Sequence, residues 1–185
     1  MQYAAVAYHI PSGSHEDYAP IAILSNLLTT RPSGRLYKAL VDSKKASSVF
    51  ALTRATKEPG IMMAFAEVLK EKSLDDARNT MVKTLNDVVK NPPTKEEVDR
   101  AKTELLKQFE LNFNDADRIG IFLSEYIAMG DWRLFFLYRD RIEKVTPDDV
   151  LRVAKQYLKD DNRTVGLFIP TEKPDRSEIP GEPDV

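Results

Sequence analysis

The chain has 185 residues, 42% hydrophobic and 30% charged, with a formal net charge of −2 and no cysteine. That length supports one domain with a real core and is short for two; the charge gives no global reason to bind nucleic acid or an anionic membrane, and without cysteine there is no disulfide, thiolate nucleophile, zinc ribbon or iron–sulfur ligand. No run approaches the roughly 18 apolar residues of a membrane span, and the opening MQYAAVAYHIP lacks the basic leader and apolar core of a secretory signal.

Met1 stands almost on top of a strand-like run, so the expectation is an excised piece of something longer, its compartment left open between bacterial periplasm and cytoplasm. Residues 3–10 are apolar and aromatic and stop at Pro11 and Gly13, which predicts a buried strand ending in a turn. Between residues 16 and 28 the period becomes helical, with Ala19, Ala22, Ile23 and Leu27 on one stripe, and TTRPSG closes the segment. A shorter helix is predicted from Ser33 or Gly34 to about Ser43, with Leu36, Leu40 and Val41 on one face. The runs SSVFALTRA and GIMMAFAEVL, joined by TKEPG, read as an antiparallel strand pair.

Ser73 is placed to cap a helix over 73–90, with Asp75 and Asp76 in the first turn and Leu74, Ala77, Met81, Leu85 and Val88 as its stripe. After NPP, Thr94 and Glu97 form a capping-box pattern ahead of a long helix carrying Val98, Ala101, Leu105, Phe109 and Phe113. Further helices are predicted over 116–129, after a cap at Asp131, and after Thr146-Pro147-Asp148-Asp149, where Val150, Val153, Ala154 and Tyr157 face inward. RTVGLFIP is a last strand. The order of elements predicts an α+β fold, a mainly antiparallel sheet with helices packed on one face, as a single domain over 1–169. Residues 170–185, with four prolines, five acidic and two basic side chains, read as an acidic linker.

Chemistry is scarce. There is no phosphate-binding glycine loop, no G-x-S-x-G elbow and no H-E-x-x-H pair. The stretch YHIPSGSHEDY holds both histidines, His9 and His15, followed by Glu16 and Asp17. A zinc site needs three or four ligands converging at about 2.0–2.3 Å, and two histidines spaced across a Pro/Gly turn match neither a helical nor a strand pair. A strand end, turn and helix lip account for these residues better. Arg35, Lys38, Lys44 and Lys45 form either a basic ligand lip or, the stronger reading, a solvated helix face. Trp132, Phe135, Phe136 and Tyr138 read as core, with Arg133, Arg139 and Arg141 available on the outer side. Asn162-Arg163-Thr164 matches a glycosylation sequon beside the last strand.

SGRLYKALVDSKKASSVFALT and AMGDWRLFFLYRDRIEKVTPDDVLRVAKQYLKDDNRTVGLFIPT resemble the insulinase-like, or pitrilysin-type, zinc metallopeptidases, over about residues 4–174. The motifs S-G-R-L-Y, G-D-W, V-T-P-x-D-V and N-R-T-V-G are individually modest and specific in their order and spacing. The likeness is to the second domain of a half, the one that follows the zinc-binding domain. It implies an antiparallel sheet with helices. It also implies that the zinc is held by an H-x-x-E-H helix and a downstream glutamate of the preceding domain, none of which occurs here, so no catalytic, metal or cofactor residue carries over. In the partner half such a domain supplies an arginine and, seven residues on, a tyrosine; the matching positions here are Val41 and Ser48, which points to the zinc-bearing half or an inactive homologue.

The resemblance implies an accessory, substrate-chamber domain of a zinc metalloendopeptidase, inactive alone, with the zinc-binding domain, the partner half and a peptide substrate as its partners and zinc as the cofactor of the whole enzyme. The alternative it implies is a non-catalytic protein-binding scaffold akin to processing-peptidase or respiratory core subunits. A free-standing metalloenzyme using His9, His15 and Glu16 is the weakest reading.

Overall fold

The computed structural model describes residues 1–173, without the side chains of residues 116 and 117. Pro174, Pro180 and Pro183, on which the expected linker partly rests, lie outside the described residues. Four strands, β1 (Gln2–Ile10), β2 (Ser48–Thr53), β3 (Gly60–Val68) and β4 (Arg163–Phe168), pair antiparallel in the order β2-β3-β1-β4. The first and last strands are neighbours, with Tyr3 opposite Phe168 and Tyr8 opposite Arg163, so the two ends of the domain close on each other. The α+β architecture is the one the element order predicts.

Six helices complete the domain: α1 (Tyr18–Thr29), α2 (Leu74–Lys90), α3 (Lys95–Phe113), α4 (Ala116–Ala128), α5 (Leu134–Lys144) and α6 (Pro147–Tyr157). α1, α2 and α6 lie against one face of the sheet; α3 packs on α1, and α4 and α5 pack on α3. Three of the predicted starts are where the hydrogen bonds are; α5 instead begins at Leu134 with Arg133 at its cap position and no side-chain cap bond, beyond the expected Asp131. Ser73 accepts from the Asp76 amide, and full capping boxes join Thr94 to Glu97 and Thr146 to Asp149, satisfying amides that each helix leaves without partners. The predicted stripe of α2, Leu74, Ala77, Met81, Leu85 and Val88, is its buried face.

Two expectations change. The helix expected from Ser33 or Gly34 is a wide, π-type turn over Tyr37–Asp42, in which Leu40 carbonyl accepts from the amides of both Lys45 and Ala46. Leu36 and Leu40 are still fully buried, so the apolar spacing is honoured while the backbone widens to deliver the chain into β2. Gly34 is required just before it, since a Cβ there would stand 2.7 Å from the Leu28 carbonyl oxygen and 2.8 Å from the backbone N and O of Thr30. Second, β1 is not buried on both sides. Ala4, Val6, Tyr8 and Ile10 face the helices, while the alternate residues face outward, as the two-residue period of a strand dictates.

Candidate functional site

The residues around the two histidines are tied to neighbouring elements by hydrogen bonds and an ion pair. The Asp17 amide donates to His15 Nδ1 at 3.0 Å, which makes His15 a turn acceptor. The Asp17 carboxylate is buried and held from α6: Arg152 pairs with one oxygen at 2.7 Å, and the Tyr157 hydroxyl donates to the other at 2.8 Å. Burial pushes the Asp17 carboxyl up, but Arg152 and Tyr157 outweigh it and hold it below its ordinary value. Tyr157 is in turn raised to about 12, by burial and then by Asp17. Arg141 from α5 donates to the carbonyls of Ser14 and His15, and Asn162 donates to the carbonyls of His9 and Tyr157. The sequon asparagine is thus a tie between β1 and α6. His9 is exposed on the outer side of β1, opposite Ile61. Among the described residues no group of three or more His, Cys, Asp or Glu could hold a metal ion.

Of the four cations read chiefly as a solvated face, Lys38 and Lys44 are exposed, while Arg35 and Lys45 are engaged by neighbouring elements. Arg35 forms a bidentate pair with Glu97, Nε to Oε1 at 2.8 Å and Nη2 to Oε2 at 2.7 Å, and also donates to the carbonyls of Asn91 and Pro92. It joins the π-type turn to the α2–α3 connection. The Arg35 bonds, and less strongly those from Thr94, lower the Glu97 carboxyl to about 2. Lys45 bonds Asp76 and Thr80, and Lys44 occupies the left-handed region at φ 59° to close the turn. Val41 is half-buried against the core, and Ser48 donates to Glu67 at 2.9 Å.

Two other surfaces stand out. The aromatic residues of α3, α4 and α5 form a cluster centred on Phe135, whose ring contacts those of Phe109, Phe113, Phe122, Tyr126 and Phe136. Trp132 is half exposed at its edge, stacked edge-on to Phe136. The arginines here do not form one outer row: Arg133 pairs with Asp131, Arg139 lies over the Phe109 and Phe136 rings, and Arg141 reaches the loop before α1.

The larger surface is the sheet face turned away from the helices. Its cross-strand rows read Phe50, Phe65, Ala5, Gly166; then Leu52, Met63, Ala7, Thr164; then Ser48, Glu67, Tyr3, Phe168. The Phe50 and Phe65 rings stack at 4.8 Å, and Phe50, Leu52 and Phe168 are 46%, 53% and 58% exposed. Its one carboxylate, Glu67, is satisfied within the face by Tyr3 and Ser48 hydroxyls. Exposed apolar faces of this kind are characteristic of interaction surfaces. Sequence reasoning missed it because apolar residues on both sides of β1 and β3 read simply as burial.

These features match known proteins closely. Residues 1–105 match the family described as the peptidase M16 inactive domain. The chain is 39% identical to a candidate zinc protease from Bordetella pertussis Tohama I, covering 92% of this chain and 95% of that one with a TM-score of 0.86. It is likewise 39% identical to the inactive peptidase domain of a candidate zinc protease from Bordetella parapertussis, covering 97% and 96% with a TM-score of 0.88. Over 171 residues it is 23% identical to zinc protease PqqE of Helicobacter pylori, and it spans 38% of the length of that curated relative. The chain belongs to the peptidase M16 inactive domain family.

Proposed function

We propose that this chain is a non-catalytic domain of a zinc-dependent metalloendopeptidase, seated against the zinc-binding domain so as to form part of the substrate chamber. Residues 1–169 make up the domain, and the acidic, proline-rich residues 170–185 link it towards the partner half. The observation that carries this reading is the open apolar sheet face, which is poor in charge and bears Phe50, Phe65, Leu52 and Phe168. Water-exposed rings in this number favour a covering surface of protein. Zinc, in this reading, belongs to the covering domain: when bound there it polarises the peptide carbonyl and activates water. The present chain contributes binding surface and the walls that hold a peptide in place.

The test is association with the zinc-bearing domain of the same parent polypeptide, produced separately and titrated calorimetrically. A one-to-one complex is expected. The double substitution F50E/L52E places two carboxylates on the already exposed face, so the fold is retained and affinity should fall at least tenfold, about 1.4 kcal/mol. Unchanged affinity for the folded double variant would show that the partner lies elsewhere.

A further inference from the structure

Between α3, α4 and α5 lies a cavity of about 140 Å³ that the sheet and the proposed domain contact do not use. Its walls include the rings of Phe109, Phe122, Tyr126 and Phe135, and its volume is close to that of apolar cavities that hold one benzene-sized ring. Phe109 and Arg139 also line an adjoining, more open groove, where Glu110 from α3 and Glu143 from α5 stand on the surface. Among the described residues neither glutamate has a side-chain hydrogen bond or ion pair. The one cation between cavity and groove, Arg139, is neutralised by Asp140 at 2.7 Å and lies with its guanidinium over the Phe109 and Phe136 rings. An apolar, ring-lined hole is therefore set beside a groove lined by two carboxylates and one arginine, the arginine already paired with Asp140.

We propose that this constellation is a peptide-binding subsite that receives one aromatic side chain in the cavity and an adjacent basic side chain on Glu110 and Glu143. The ring fits by volume and by edge and face contacts with the lining rings, and the neighbouring cation is selected by charge. The choice of a peptide as the occupant rests on the peptidase reading given above; the site itself is independent of the open sheet face. It is therefore tested on this chain alone, so that its failure is separable from failure of the domain contact.

The probe is N-acetyl-Phe-Arg-amide, titrated into isotopically labelled protein and followed by amide chemical shifts. Saturable binding with a dissociation constant on the order of 1 mM is expected, with shifts confined to α3, α4 and α5. N-acetyl-Ala-Arg-amide should bind at least tenfold more weakly, and N-acetyl-Phe-Glu-amide at least fivefold more weakly. The variant E110Q/E143Q, which changes only exposed side chains, should lose the preference for arginine over glutamate while retaining the ring. Asn112 also lines the cavity, so N112F, which puts a ring into that lining, should abolish binding, and circular dichroism confirms that both variants fold. Shifts centred on Phe50 and Phe65, absence of saturation, or equal binding of the Phe and Ala peptides would overturn the proposal; so would an undiminished arginine preference in E110Q/E143Q.

Discussion

Replacing Asp17 by alanine is expected to lower the unfolding free energy by about 2–3 kcal/mol, since it removes a buried carboxylate that accepts a hydroxyl and pairs with a half-exposed arginine. Asp17 is 2% exposed, and its carboxylate pairs ionically with Arg152 through one oxygen and accepts from the Tyr157 hydroxyl through the other. Its loss removes the partner that Arg152 and the Tyr157 hydroxyl share at the contact between the loop before α1 and α6, the helix that leads into β4. Because β4 pairs with β1, loosening α6 also loosens closure of the sheet. Tyr157→Phe removes the bond donated to Asp17 and the exposed one accepted from Gln156, and should cost only about 1 kcal/mol. Urea denaturation of the three proteins, with comparable slopes, measures this directly. A destabilisation by Asp17→Ala no larger than that of Tyr157→Phe would mean that the ion pair with Arg152 adds nothing.

Arg35→Met should destabilise by about 3 kcal/mol, since it removes both bonds to Glu97 and leaves the carbonyls of Asn91 and Pro92 without their donor. This variant also carries a pH signature. The Glu97 carboxyl is lowered from 4.5 to about 2, chiefly by Arg35. A carboxylate with a depressed folded value stabilises the fold above its unfolded value, and that contribution disappears as pH falls from about 4.5 to about 2. Allowing for the partial exposure of the pair, the pH-dependent part is about 1–2 kcal/mol. In Arg35→Met the stability should change correspondingly less across that window. A variant with the full native pH slope would show that Arg35 does not set the Glu97 proton affinity.

Local signals in the chain were the ones that could be read from it. Caps at Ser73, Thr94 and Thr146 are visible as residue types at fixed spacing, and each makes the expected bond. The stripes of α2 and α6 follow the same logic, because helix periodicity depends on a few neighbouring residues. What stayed hidden is non-local. Arg35 and Glu97 are 62 positions apart and Tyr157 and Asp17 are 140 apart, so nothing short-range distinguishes Arg35 from a solvated cation or Asp17 from a turn residue. The π-type turn shares its apolar spacing with an α-helix, so the wider bonding, in which the Leu40 carbonyl accepts from Lys45 and Ala46, leaves no mark in the pattern. The open sheet face was obscured by the chemistry of the strands themselves: Ala5, Ala7, Met63 and Phe65 are as apolar as the core-facing residues beside them. For the histidines, the role of His15 as acceptor for the Asp17 amide was not legible, since the bond depends on the exact path of the turn.

The non-catalytic role itself is tested most directly by peptide hydrolysis. The purified chain, with and without added zinc, is incubated with a mixed library of unstructured peptides, and cleavage is followed by mass spectrometry, with a chelator control. No cleavage above the buffer blank is expected in either condition. Turnover by this chain alone that is abolished by the chelator would contradict it.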